Sequence, residues 1–232
     1  CVRQSELIAL NSRSGYWPEC DSSQTPKIPG CTCGTCVAGG ACGNDPSCCY
    51  QYGHYCTETY TEKLNEMFNK VGLCYDDASN CTIRRQFIAQ ATYETAFFST
   101  LHQPADGGPG VIHMIPVNRQ ANVDDMEELF PGEGIAAYYA TLTTESERAA
   151  FFQDPNYAWL SAGAWMKKTN RLIPACGEDL FDAGTTNDRM TLCILDSQVD
   201  RSEALGWANI DVSCDVTVSG GSDPSPTTST PS

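Results

Sequence analysis

From Thr57 onward, apolar residues recur at spacings of three and four, the pattern of helices that bury one face and expose the other. It predicts helices over Thr57–Val71, Thr82–His102, Val123–Phe130, Thr144–Gln153 and Asn156–Asn170, with a weaker one near Asn187–Val199. Between the second and third lies Asp106-Gly107-Gly108-Pro109-Gly110, a turn by composition, followed by the short apolar run Val111-Ile112-His113-Met114-Ile115. That run is expected to be a strand. Helix, glycine turn and strand would then form one wall of a cleft in a mainly α domain.

Residues 1–56 lack this periodicity. Nine cysteines crowd there (Cys1, Cys20, Cys31, Cys33, Cys36, Cys42, Cys48, Cys49, Cys56) among Gly, Pro and Ser, which predicts a small disulfide-stapled module. The remainder holds Cys74, Cys81, Cys176, Cys193 and Cys214. Nine and five are both odd, so complete pairing requires at least one bridge between the front and the rest. Residues 57–218 form the expected main domain, and the Ser/Thr/Pro-rich tail 219–232 cannot bury a core and reads as an extended linker. Cys31, Cys33 and Cys36 have a spacing that also suits zinc, but at this cysteine density disulfides are the expectation.

Fourteen cysteines place the chain in an oxidising, extracellular setting. No charged-then-apolar leader opens the sequence and no apolar run reaches about 18 residues, so a mature, secreted, soluble monomer without a membrane span is expected. A formal charge of −15 repels nucleic acid phosphates and argues against that class of partner. Asn80-Cys81-Thr82 fits the N-glycosylation triplet, which also arises by chance.

Candidate chemistry centres on Glu94. Phe87, Ala91, Glu94, Phe98 and Leu101 share one helical face, which sets a carboxylate in an apolar stripe. Desolvation there disfavours the charged form, as a general acid requires, whereas pairing with Arg84 or Arg85 would make the residue structural.

Glu94-Thr95 together with GGPGVIHMIPVN (Gly107–Asn118) resembles the signature of goose-type lysozymes and lytic transglycosylases. There a catalytic Glu precedes a segment of the form G-A-x-G-L-M-Q-x-M-P. Asp154-Pro155 and Ala162-Gly163-Ala164-Trp165-Met166 are similar to a later motif of the same group, and ATYETAFFS is similar to the acid-bearing helix of family 19 chitinases. Thr95 stands where the transglycosylases usually have Ser, His113 where they have Gln, and Ala158 where they have Asn.

The resemblance implies an α+β lysozyme-like fold and a hydrolase that cuts β-1,4 bonds of peptidoglycan or, alternatively, chitin, without cofactor or metal. Glu94 would be the acid. Asp106, twelve residues on and beyond the expected helix end, is the first candidate for a second carboxylate that activates water, though an Asp that only caps the turn is equally consistent. Asp124 and Asp125 are reserves, otherwise charges at a helix start. His113 and Asn118 flank the expected cleft and could bond an acetamido group, while Tyr138 or Tyr139 could stack on a sugar. If no second acid faces Glu94, one carboxyl serving as both acid and base gives a transglycosylase. A wall-binding protein that keeps the fold but is catalytically silent is the rival of another class.

Overall fold

The computed structural model describes residues 1–13, 30–32, 35–37, 57–75, 77–95, 101, 108–168, 176–177, 179–195 and 200–214. Among them the order is α1 (Gln4–Arg13), β1 (Gly30–Thr32), β2 (Thr35–Val37), α2 (Thr57–Lys70), α3 (Ala78–Glu94), α4 (Pro116–Leu129), α5 (Ile135–Ala140), α6 (Glu145–Gln153), α7 (Pro155–Lys168), α8 (Asn187–Leu195) and α9 (Ser202–Asp211). The protein is mainly α. β1 and β2 form one antiparallel pair in which Cys31 opposes Cys36.

α3 is the central helix. Asp77 starts it from an extended backbone, its carboxylate accepting the Asn80 N–H at 2.7 Å and so satisfying an amide that the first turn leaves unpartnered. The helix is buried on nearly every side rather than along one stripe. Ile83, Phe87, Ile88 and Ala91 are buried, and so are the polar Arg84, Gln90, Thr92 and Glu94. α8 and α9 pack on α3, while α2, α4 and α6 pack on α7, the second hub. Phe87 links them: its ring meets Phe68 of α2 edge-on at 5.6 Å and lies 6.4 Å from Trp159 of α7. Edge-to-face pairs of this kind add about 0.5–1.5 kcal/mol each beyond simple burial.

Three expectations change. The run Val111–Ile115 is turn and coil, not strand: Gly110 and His113 both take positive φ, which breaks an extended chain, and Pro116 then starts a helix as its fixed φ favours. α4 therefore begins at Pro116 instead of Val123, which puts Asp124 and Asp125 in mid-helix rather than at its start. The first helix also belongs with the main domain. Val2, Leu7 and Leu10 join the core and α1 packs on α2 and α9, so residues 1–13 extend the helical core into the segment assigned to the cysteine-rich module.

Disulfides join Cys1–Cys74, Cys81–Cys214 and Cys176–Cys193, with Cα–Cα separations of 4.7, 5.5 and 5.6 Å. Cys1–Cys74 is the front-to-rest bridge that the odd cysteine counts require. No helix among the described residues is long and apolar enough to cross a membrane.

α6 opens with a full capping box. Thr144 accepts the Glu147 N–H, and the Glu147 carboxylate accepts the N–H groups of Thr143 and Thr144, both at 2.8 Å. These backbone bonds, Thr144 first, hold the Glu147 carboxyl at about 2. A folded value below the unfolded one means the box stabilises α6 fully above the ordinary carboxylate range. That contribution fades as pH falls from about 4.5 toward 2. Carboxyl-detected NMR titration should find Glu147 still ionised at pH 3, and a midpoint near that of a free glutamate would refute the box.

Candidate functional site

Glu94 is the last residue of α3 and only 2% exposed, so its carboxylate needs partners. Neither neighbouring arginine supplies them. Arg84 is turned to the carbonyls of Leu73 and Tyr75, and Arg85 donates to the Val212 carbonyl at 2.8 and 2.6 Å. The partner is Arg201, at the start of α9 and 107 positions away, whose Nη2 donates to Glu94 Oε1. The carboxylate expected among apolar neighbours is thus buried as predicted but sits in an ion pair.

Arg201 is itself fixed. Its Nη1 donates to Gln90 Oε1 at 2.9 Å and to the Gln90 carbonyl at 3.3 Å, and its guanidinium lies 5.3 Å from the centre of the Tyr93 ring. Gln90 in turn donates to Asn187 Oδ1 at 2.8 Å and accepts from the Thr191 hydroxyl at 3.1 Å. α3, α8 and α9 therefore meet in one buried polar network. A guanidinium also suits the C-terminal end of a helix, where the last carbonyls lack amide partners.

The glycine turn brings His113 to the other side of Glu94. Gly110 N–H donates to the Leu101 carbonyl at 2.8 Å and Met114 N–H to the Pro109 carbonyl at 2.7 Å, which closes the turn. His113 adopts φ 47°, a left-handed conformation uncommon outside glycine. A Cβ at Gly108 would lie 2.8 Å from the His113 Cβ, so only glycine lets the chain pass this close. In this seat His113 Nε2 is 2.8 Å from the Glu94 carbonyl and Nδ1 is 3.4 Å from Glu94 Oε2. A carbonyl oxygen only accepts, so Nε2 carries hydrogen.

Gly110 has φ 92°, and a Cβ there would come within 2.8 Å of the Phe152 carbonyl. Gly110→Ala should therefore cost about 2–4 kcal/mol, from left-handed strain plus overpacking. Urea unfolding would show it; a change within about 0.5 kcal/mol, the range of a neutral surface substitution, would mean the turn relaxes freely.

The structure thus unites Glu94 with His113 and adds Arg201, Gln90 and Tyr93. Gln90 and Glu94, four apart on a buried helix, are a polar pair that demands partners, but nothing in local spacing points to Arg201. Asn118 is half-buried in the first turn of α4, its N–H donating to the Ile115 carbonyl. Tyr139 is 4% exposed and packs edge-on against Phe151 and Phe152, so its ring fills core and is not offered to a sugar. Tyr138 is 46% exposed and stacks on Tyr157 at 5.6 Å. Asp124 is exposed and accepts from Gln120, while Asp125 is buried. Asp106 lies outside the described residues. No group of His, Cys, Asp and Glu among the described residues could hold a metal ion. No family model, curated protein or solved structure matches the chain.

Proposed function

We propose that the protein is a secreted, cell-wall-lytic glycoside hydrolase of the lysozyme type, cleaving β-1,4 bonds of peptidoglycan, with chitin as the alternative polymer. The observation that carries this reading is a carboxylate 2% exposed, at the end of a central helix, faced by a histidine that a glycine turn holds in a left-handed conformation. Strained backbone of this kind concentrates at working sites. Glu94 protonates the leaving oxygen, and a water activated by Asp106 attacks the anomeric carbon. The exposed face of Tyr138 offers a stacking surface for a sugar.

The test is end-group analysis by mass spectrometry after incubation with bacterial wall and with chitin oligomers from acidic to neutral pH. The wild type should release new ends from one of them, and Glu94→Gln should lower turnover by about 10²–10⁴-fold, the range general acid catalysis supplies. A Glu94→Gln protein of near-normal activity refutes the role.

A second reading is favoured by the Glu94–Arg201 pair, which is already charge-compensated and needs no ligand to justify it. On that reading the protein binds wall fragments without creating new ends.

A further inference from the structure

We propose that His113 is a positioning residue through which Glu94 keeps its proton: the two side chains hold one proton in common between Nδ1 and Oε2. The inference rests on the hydrolase reading for its consequence, and on geometry alone for its premise. Because Nε2 donates to the Glu94 carbonyl, the ring presents Nδ1 to the carboxylate, 3.4 Å from Oε2. A neutral ring would aim a lone pair at a carboxylate oxygen. One proton between them removes that repulsion, whether written as carboxylic acid with imidazole or as carboxylate with imidazolium. The separation is longer than a strong hydrogen bond, as is common for such pairs before substrate arrives.

The division of the carboxylate supports this. Oε1 belongs to Arg201 and Oε2 faces the ring, so the cation and the proton occupy different oxygens. With one shared proton the His113–Glu94 pair is neutral and Arg201 supplies the net positive charge. When the glycosidic C–O bond breaks, its electron pair stays on the leaving oxygen, which takes the shared proton. Water bonds to the anomeric carbon and gives its own proton to the second carboxylate, and Arg201 offsets the charge left on Glu94. Among the described residues, Tyr93 lies against Arg201, and Arg119, which donates to the Met114 carbonyl next to His113, pairs with Glu145. His113 is the more open member, its side chain 15% exposed against 2% for Glu94, so the proton is replenished from its side.

Two measurements on the full chain test this. In the first, nitrogen-15 NMR of histidine-labelled wild type and Glu94→Gln reads the ring state without any substrate. The wild type should show Nε2–H together with an Nδ1 signal moved toward protonation, lost in Glu94→Gln. An Nδ1–H tautomer, or identical His113 titrations in the two proteins, overturns the inference. In the second, His113→Asn keeps an amide donor and suits the left-handed backbone but cannot share a titrating proton. The basic limb of its pH profile on wall should move at least about one pH unit toward acid relative to wild type, a tenfold change in proton activity. Superimposable profiles overturn the inference and leave the hydrolase reading standing. No new ends from any polymer with the wild type removes the hydrolase reading, and the NMR result still decides whether the proton is shared.

Discussion

Arg201→Ala is expected to lower the unfolding free energy by about 3–5 kcal/mol, because it takes from the buried Glu94 Oε1 and Gln90 Oε1 the guanidinium that donates to both and leaves part of a buried network unsatisfied. Glu94 is 2% exposed and Arg201 4%, so little water reaches either group to compensate. Gln90 Oε1 would lose one of its donors and the Tyr93 ring its cation. The same physics gives the control. Replacing both members together, Glu94→Met with Arg201→Met, removes both charges and both desolvation penalties, and such exchanges are often neutral or stabilising by about 1–4 kcal/mol. Urea unfolding of the two singles and the double, checked for an unchanged slope, closes the cycle. A loss under about 1 kcal/mol for Arg201→Ala would show that the pair is screened like a surface pair. The double variant also separates structure from chemistry: a folded protein with no turnover is what the hydrolase reading demands.

Elements whose signal is local were legible in the sequence. α2, α6 and α7 combine helical spacing with boundaries that composition marks, and their observed ends fall within two residues of the expected ones. α3 begins four residues earlier than expected because the Asp77 cap, not the apolar pattern, sets its start. At Val111–Ile115 a run of β-forming side chains was overruled by its flanks, since Gly110, the left-handed His113 and Pro116 each exclude a continuing strand. Of the site, Glu94, His113 and the glycine turn were visible because they lie within 20 residues of one another. Arg201 was not, because an ion pair across 107 residues is fixed by how α9 docks on α3, which no periodicity encodes. Tyr139 shows the converse limit, an aromatic whose spacing suited either core or surface and which packing placed in the core.

The docking of α9 is itself covalently fixed, and this yields the second large effect. Cys214, three residues past α9, is bonded to Cys81 in the first turn of α3, closing a separation of 133 residues. In the chain-entropy account a loop of that size is worth roughly 5 kcal/mol, an upper figure because real disulfides often deliver less. Cys1–Cys74 pins α1 just ahead of the same helix, and Glu6 of α1 accepts the Ser213 N–H at 2.9 Å, so the two ends of the described chain brace each other beside α3. Arg85 adds its two bonds to the Val212 carbonyl. Cys81→Ala with Cys214→Ala should therefore lower the unfolding free energy by about 3–5 kcal/mol. Its effect should also reach the site, since α9 carries the Arg201 that holds Glu94. Hydrogen exchange would show the amides of α9 and of the last turn of α3 losing protection together, with α6 unaffected. If α9 opened while Gln90 and Glu94 kept their protection, the polar network would be held by α8 alone, through Asn187 and Thr191, and the coupling between bridge and site would be wrong.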